Sequence, residues 1–279
     1  MRGLIGQETQ QLLRDLGIET SQASAFTTGG FVEPISYDWH VHKRHQLIYA
    51  FSGTLAVEGN GRRHLIPLRH AAFIPANLPH RTTLGFSIAG RQSVRSKIVS
   101  VFTKPRATPV RTDGIAVFGV TPLLAEMLGR ALEWGPDHKE TALSKGLFRT
   151  LALLCAEGVA APIPFWLPQG NDPKTQEVLR WLDAHLRDAN ETKAAAEGGV
   201  SVRTFRRQFA AGAGMPWREC IVRARLLRAA EELAAASSKS VAEIAWHVGY
   251  ASAPAFAKAF QKFTGQTPGE YRRLRAGDA

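Results

Sequence analysis

The spacing of apolar residues changes period partway along the chain. Between residues 37 and about 104, short β-branched or aromatic runs such as "QLIYAF", "TLAVEG" and "KIVSVF" are separated by Gly, Pro and Asn, the punctuation of short strands and tight turns. "EGNG" at 58–61 predicts a hairpin. Many short strands in so short a stretch predict a small barrel or sandwich.

Beyond residue 105 the period becomes helical. In "TPLLAEMLGRALEW" Thr121 can cap and Pro122 suits the first helical position, with Leu124, Leu128, Ala131 and Leu132 on one face. "KETALSKGLFRTLALLCAE" sets Leu143, Leu147, Leu151 and Leu154 along one face of a second helix. That stripe fits either a cover for the barrel or an interface between protomers, because apolar periodicity shows burial and not the partner. "APIPFWLPQGNDP", residues 161–173, has four prolines and predicts a linker. After it Asp172 and Pro173 open a helix with Val178, Leu179, Leu182 and Leu186 on its apolar side. The pattern therefore divides the chain into an N-terminal segment with a barrel (1–104), a helical connecting or dimerisation region (105–160), a linker (161–171) and an all-helical domain (172–279).

Composition changes this picture little, and charge changes it more. A chain of 279 residues, 44% hydrophobic and 21% charged, suits two ordinary globular domains. No run of about 18 apolar residues occurs, and the first residues, "MRGLIGQETQQLLRDLG", mix in polar positions too early for a signal-peptide core. A cytoplasmic protein with no membrane partner is expected. Cys155 and Cys220 are the only cysteines and are far apart, which predicts small buried side chains and neither a disulfide framework nor a zinc knuckle. The net charge of +11 points to a polyanionic partner, nucleic acid first and an anionic membrane surface second. Residues 172–279 hold 17 of the 35 basic and 12 of the 24 acidic residues, so the surplus is spread evenly. Locally it is not: residues 203–228 carry seven arginines against the single acid Glu219.

An internal repeat decides the class of the second half. "AAAEGGVSVRTFRRQF" (194–209) matches "AWHVGYASAPAFAKAF" (245–260) at an offset of 51, pairing Ala194 with Ala245, Gly198 with Gly249, Ser201 with Ser252, Phe205 with Phe256, Arg207 with Lys258 and Phe209 with Phe260. Each position has a mechanical use: glycine for the positive φ of a tight turn, serine to cap the next helix, and two phenylalanines four apart to anchor its inner face. The pattern is a helix-turn-helix, twice over. The two copies are joined by a helix expected from Pro216 to about Ala236. At 1.5 Å per residue such a rod spans about 30 Å, near the 34 Å between successive major-groove faces.

Residues 172–275 resemble the DNA-binding domain of AraC-type transcriptional regulators. The resemblance is carried by the two repeats, by the connector "VRARLLRAAEELAAA", and above all by "SVAEIAWHVGYASAPAFAKAFQKFTGQTPGEYRR" at 240–273, with its capping Ser240, "AEIA", "VGY" and "G-x-T-P-x-E-Y-R". On the first recognition helix, Arg203 and Arg207 are expected to meet bases, Arg206 to meet base or phosphate, and Ser201 and Thr204 to lie at the same surface. The second helix offers Ser252, Ala253, Pro254 and a single long donor, Lys258. Most discrimination is therefore expected from the first module and mainly backbone affinity from the second.

The barrel holds the remaining chemistry. In "DWHVHKRHQLIYAFSG", His40, His42 and Gln46 share a strand parity, with His45 on the other face. "FIPANLPH" later supplies Pro75, Asn77 and His80. Together these residues resemble the two cupin signatures, which implies an N-terminal cupin-like barrel with flanking helices and a metal site at His40, His42, Gln46 and His80. Two departures stand out. Gln46 replaces the family's glutamate, which weakens metal binding and removes a general base. Asn77 replaces its glycine, and asparagine tolerates the left-handed turn. Three imidazoles and an amide oxygen suit a divalent metal, while an effector pocket without metal, lined by Trp39, Tyr49 and Phe73, remains the other use of such a barrel.

The expectation is an α+β chain: a sensing barrel, then tandem helix-turn-helix modules, forming a homodimeric, sequence-specific regulator of promoter DNA controlled by a small molecule or a metal, with no cofactor required. Its rivals are a metal-dependent cupin enzyme with a helical appendage and an architectural DNA binder whose barrel is structural. No nucleophile elbow, phosphate loop or paired barrel carboxylates support catalysis.

Overall fold

A computed structural model describes residues 2–53, 55–85, 95–234 and 239–276. The chain divides into two compact units, the first comprising Met1–Asn60 and His64–Pro164, the second Gly61–Arg63 and Phe165–Ala279.

The first unit opens with β1 (Arg2–Gly3) and α1 (Gly6–Asp15) and continues through β2 (Ala25–Val32), β3 (Ile35–Ser36), β4 (His45–Ala50), β5 (Leu55–Gly59), β6 (Arg62–Ile66), β7 (His70–Ile74), β8 (Arg81–Leu84), β9 (Ser96–Thr103) and β10 (Ala116–Gly119). One sheet runs β1-β3-β8-β5-β6, and the other runs β10-β7-β4-β9-β2. Asn60 and Gly61, both at positive φ, turn β5 into β6 as the "EGNG" pattern predicts. Strand alternation gives β4 two different faces. Leu47 and Tyr49 pack with Phe73 of β7 and Phe118 of β10 in a core closed by α2 (Pro122–Ala131) and α3 (Ala142–Ala160). Gln46 and Ile48 turn the other way, into a cavity shared with Thr82 and Leu84 of β8 and Ser100 of β9, so the two sheets face each other across it. Thr121 caps α2 through the Leu124 amide, and Thr141 caps α3 in a capping box with Ser144.

The strand pattern extends further than the sequence reading, which begins its strands at residue 37. β2 lies ahead of that start, and its Gly29 and Gly30 stay in the strand at φ +145° and +119°. A Cβ on Gly29 would sit 2.3 Å from the Ile98 carbonyl oxygen of β9, so this crossing admits glycine alone.

The second unit contains β11 (Trp166–Pro168) and the helices α4 (Pro173–His185), α5 (Glu191–Glu197), α6 (Val202–Ala213), α7 (Trp217–Ala234), α8 (Val241–His247), α9 (Ala253–Thr264) and α10 (Pro268–Ala276). Asp172, Asn190, Ser201, Ser240 and Ser252 each accept a backbone N–H at the start of the helix they precede. Phe205 and Phe209 each meet Trp217 edge to face in the first module, and Phe260 meets Tyr271 edge to face in the second, with a tilted phenylalanine pair in each. α7 spans about 27 Å at 1.5 Å per residue. Its expected end near Ala236 lies outside the described residues.

The repeat is not at one constant offset. α5 ends in a Schellman turn in which the Val200 and Gly199 amides donate to Ala195 and Ala196; α8 ends in the same turn, with Tyr250 and Gly249 donating to Ala245 and Trp246. These equivalents are 50 apart, whereas Ser201 and Ser252 are 51 apart, so the second turn is one residue longer. Gly198 therefore does not correspond to Gly249. Gly198 has φ −76° and the left-handed position belongs to Gly199 at +63°, matching Gly249 at +93°. Gly249→Ala should cost about 1–3 kcal/mol of unfolding free energy, since its Cβ would also lie 2.5 Å from the Arg187 carbonyl oxygen, while Gly198→Ala should stay within about 0.5 kcal/mol or stabilise. Urea unfolding of the two variants checks this, and the opposite ranking would contradict the assignment of the turn.

Candidate sensor site and nucleic-acid interface

His40 and His42 lie in the loop before β4 rather than on a strand, and backbone pairing carries them to His80. His40 and His80 form an isolated antiparallel bridge, each amide donating to the other's carbonyl at 2.9 Å. The Asn77 amide donates to the His42 carbonyl at 2.8 Å, with Asn77 in the left-handed region at φ +63°. The result is a cluster in which one ligand nitrogen from each imidazole lies within 4.8 Å of the others, all three rings being buried. The ring of Phe102 stands edge-on to His42 at 5.4 Å and keeps that side apolar.

Hydrogen bonding decides where the lone pairs point. Nδ1 of His40, His42 and His80 lies 2.7, 2.7 and 2.8 Å from the carbonyl oxygens of Asp38, Arg44 and Leu78. A carbonyl only accepts, so each Nδ1 carries the proton and each neutral ring presents an Nε2 lone pair. Nε2 of His80 is buried with no partner. Nε2 of His42 is 3.2 Å from Oε1 of Gln46, whose Nε2 donates to Ser100 Oγ at 3.0 Å. Two lone pairs facing each other are satisfied either by a cation between them or by the glutamine amide turned over. Burial holds the rings neutral: the His40 pKa is lowered to about 4, that of His42 is lowered, and that of His80 falls well below the ordinary value, desolvation being the largest cause in each.

Three neutral imidazoles, each oriented by a backbone carbonyl, fit a late first-row divalent ion such as zinc. The cavity lined by His40, His42 and Gln46 has a volume of about 40 Å³, room for an ion or a few waters and far below what a drug-sized ligand occupies. The three aromatics expected around an organic effector do not line it. Tyr49 and Phe73 face the α2–α3 core on the other side of β4, and Trp39 is exposed, with Arg81 5.7 Å from its ring. Strand parity explains the miss, since an odd and an even position of β4 cannot share a cavity. Cys155 and Cys220 are buried thiols with pKa pushed up to about 12 by desolvation, so neither is a reactive thiolate.

In the helical unit, the dense arginine run separates into two groups. Arg225 donates to the Leu186, Arg187 and Ala189 carbonyl oxygens and so closes the C-terminal end of α4. Arg228 pairs with Asp183, and Arg223 pairs with Glu219 while lying over the Trp166 ring at 4.0 Å. Arg206, expected at base or phosphate, forks onto Glu191 at 2.7 and 2.5 Å and ties α6 to α5; the same pairing raises its pKa and lowers that of Glu191. Arg203, Arg207 and Arg218 are exposed and hold no hydrogen bond or ion pair with a described residue. Arginine density thus overstates the free cationic surface: four of the seven are structural. Ser201 and Ser252 spend their hydroxyls as caps, with Ser201 also bonded to Thr204 Oγ1. On α9, Pro254 and Lys258 are exposed and Ala253 is half-buried.

Residues 194–274 match the model of a helix-turn-helix domain, and residues 33–91 match the AraC-like ligand binding domain. Over 259 residues the chain is 21% identical to the HTH-type transcriptional regulator NimR of Escherichia coli K12, covering 89% of this chain and 87% of that one. It is 30% identical over 106 residues to the HTH-type transcriptional activator RhaS of Salmonella schwarzengrund, covering 38% of each. A crystal structure of a ToxT variant from Vibrio cholerae aligns over 92% of this chain and 99% of that one, at 11% identity and a TM-score of 0.36. The chain is an AraC-type DNA-binding transcriptional regulator with an N-terminal ligand-binding domain. Its relatives are named as regulators and not as enzymes. No described helix is long and apolar enough to cross a membrane.

The neutral imidazoles carry a pH signature. In metal-free protein, folded His40 takes up a proton only near pH 4 whereas the unfolded chain does so near 6.5, so the unfolded state binds more protons between these values. Stability should therefore fall as pH drops from about 6.5 to about 4, His40 alone accounting for about 3–4 kcal/mol at about 1.4 kcal/mol per pH unit. Urea midpoints of chelator-treated protein across this range check the slope, and His40→Gln should flatten it. An unchanged slope in that variant would contradict the neutral assignment.

Proposed function

We propose that the N-terminal barrel detects a divalent metal through His40, His42 and His80, with Gln46 as a weak fourth donor, and that the helical unit reads promoter DNA chiefly through Arg203 and Arg207. The observation that carries the sensing half is the convergence of three buried imidazoles, one ligand nitrogen of each lying within 4.8 Å of the others and the Nε2 of His80 having no partner, while His40, His42 and Gln46 line a cavity of only about 40 Å³. Glutamine in place of a carboxylate keeps the site neutral, so metal binding is weak enough to be reversible and offers no general base. Such a site regulates if metal binds two conformations of the chain unequally.

For the DNA-reading half, Phe205 and Phe209 hold the inner face of α6 in the core while Arg203 and Arg207 stand on its outer face. Either can meet guanine O6 and N7 with two hydrogen bonds. α9 offers alanine, proline and one lysine, which suits thymine methyls and phosphates, so it contributes backbone affinity. The exposed Leu123 and Leu143 support pairing of two protomers through the middle helices, and a promoter as partner supports a cytoplasmic location.

Elemental analysis and zinc titration of the full chain, purified without added metal, test the sensor. One ion per chain is expected, with affinity at least about tenfold weaker in His42→Ala and His80→Ala; no saturable binding would contradict the reading. Arg203→Ala should cost about 1–3 kcal/mol and relax preference at one base pair. Lys258→Ala should weaken all operators alike and lower the salt slope by about one. A larger loss of base preference in Lys258→Ala would reverse the division of labour.

A further inference from the structure

We propose that a groove on the outside of the first unit, bounded by the start of β2, the stretch after β9 and the first half of α3, binds an amphipathic organic anion, with aryl or alkyl carboxylates as the ligand class. The groove has a volume of about 530 Å³, within the usual range of small-molecule sites, where the histidine cavity offers about 40 Å³. It lies beyond the segment matched to the ligand-binding model, and β9 separates the two cavities: Phe102 lines the histidine side and Thr103 the groove.

Its walls define the ligand. The apolar floor includes Ala152, Phe148 and the exposed Leu153, which is 55% accessible. Around it stand four cations: Arg106 on the short turn after β9, Arg111 beyond it, and Lys145 and Arg149 on successive turns of α3. Arg106 and Arg149 are exposed with no partner among the described residues. Arg111 donates Nη1 to the Val110 carbonyl at 3.1 Å, which positions the guanidinium without neutralising it. The one acid, Glu140, is already engaged, accepting the Ser24 amide at 2.7 Å and pairing with Lys145 at 3.6 Å. Two unpaired guanidiniums over an apolar floor match a carboxylate head and a hydrocarbon body, since charge-assisted forks hold the head while the floor buries the rest. A nucleic-acid backbone needs the charge and gains nothing from a concave apolar floor.

The assignment does not depend on the metal reading. Isothermal titration of the full-length protein with 1-naphthoate, and with 1-naphthamide as its neutral counterpart, tests it. The acid should bind at least about tenfold tighter than the amide, and Arg106→Ala/Arg149→Ala should remove that preference. His42→Ala, which damages the metal cluster, should leave naphthoate affinity within about twofold. Equal binding of acid and amide, or unchanged affinity in the double variant, would overturn the proposal. So would a loss confined to His42→Ala, or a fall in promoter affinity of the double variant, which would place these cations on DNA.

Discussion

Imidazoles buried side by side must stay neutral unless something compensates their charge, and among the described residues the Nδ1 atoms of His40, His42 and His80 face backbone carbonyls rather than carboxylates. The backbone takes up the Nδ1 proton of each ring, which leaves the Nε2 of His80 without a partner and sets the Nε2 of His42 against the Gln46 amide. A buried acceptor without a donor costs free energy, and a bound cation is what turns that cost into affinity. The fold supplies the constraint through ordinary means: a two-residue bridge between His40 and His80, and a left-handed Asn77 that hangs its amide on His42.

The same strand that supplies Gln46 to this cavity supplies Leu47 and Tyr49 to the core under α2 and α3. A change at the histidines is therefore one residue away, through the pleat of β4, from the packing of the helices on the far side. Interiors packed at crystal density pass displacement on rather than absorbing it, which gives a ligand inside the barrel a route to α2 and α3. In the helical unit the design is a rigid frame with a chemically active outside. Schellman turns, serine caps and edge-to-face aromatics fix the angle of each module, while Arg206, Arg225 and Arg228 bolt neighbouring helices together.

Much of this was legible before the structure. The duplicated phenylalanines, the capping serines and the His-x-His spacing each follow from local rules, and local rules act within a few residues. Asn77 could be read as left-handed because its side chain tolerates that region. What escaped depends on distant partners. Arg225 resembles a DNA contact until α4, nearly 40 residues away, presents its carbonyls to it. Consecutive Gly198 and Gly199 are equivalent on paper, and only the helix end selects the second. β2 is hidden by Gly29, whose use is visible only against β9. Tyr49 and Phe73 are expected at the effector cavity because they sit on neighbouring strands, and the pleat sends them to the other side.

The central claim is that the barrel alters what the helices do. Footprinting of a cognate promoter at one fixed salt concentration, with zinc supplied and then withdrawn by a chelator, measures it directly. A reversible change in operator affinity of about tenfold is predicted, absent when His40 and His80 are both replaced by alanine. Identical footprints with and without metal, in protein shown to bind the ion, would contradict the account.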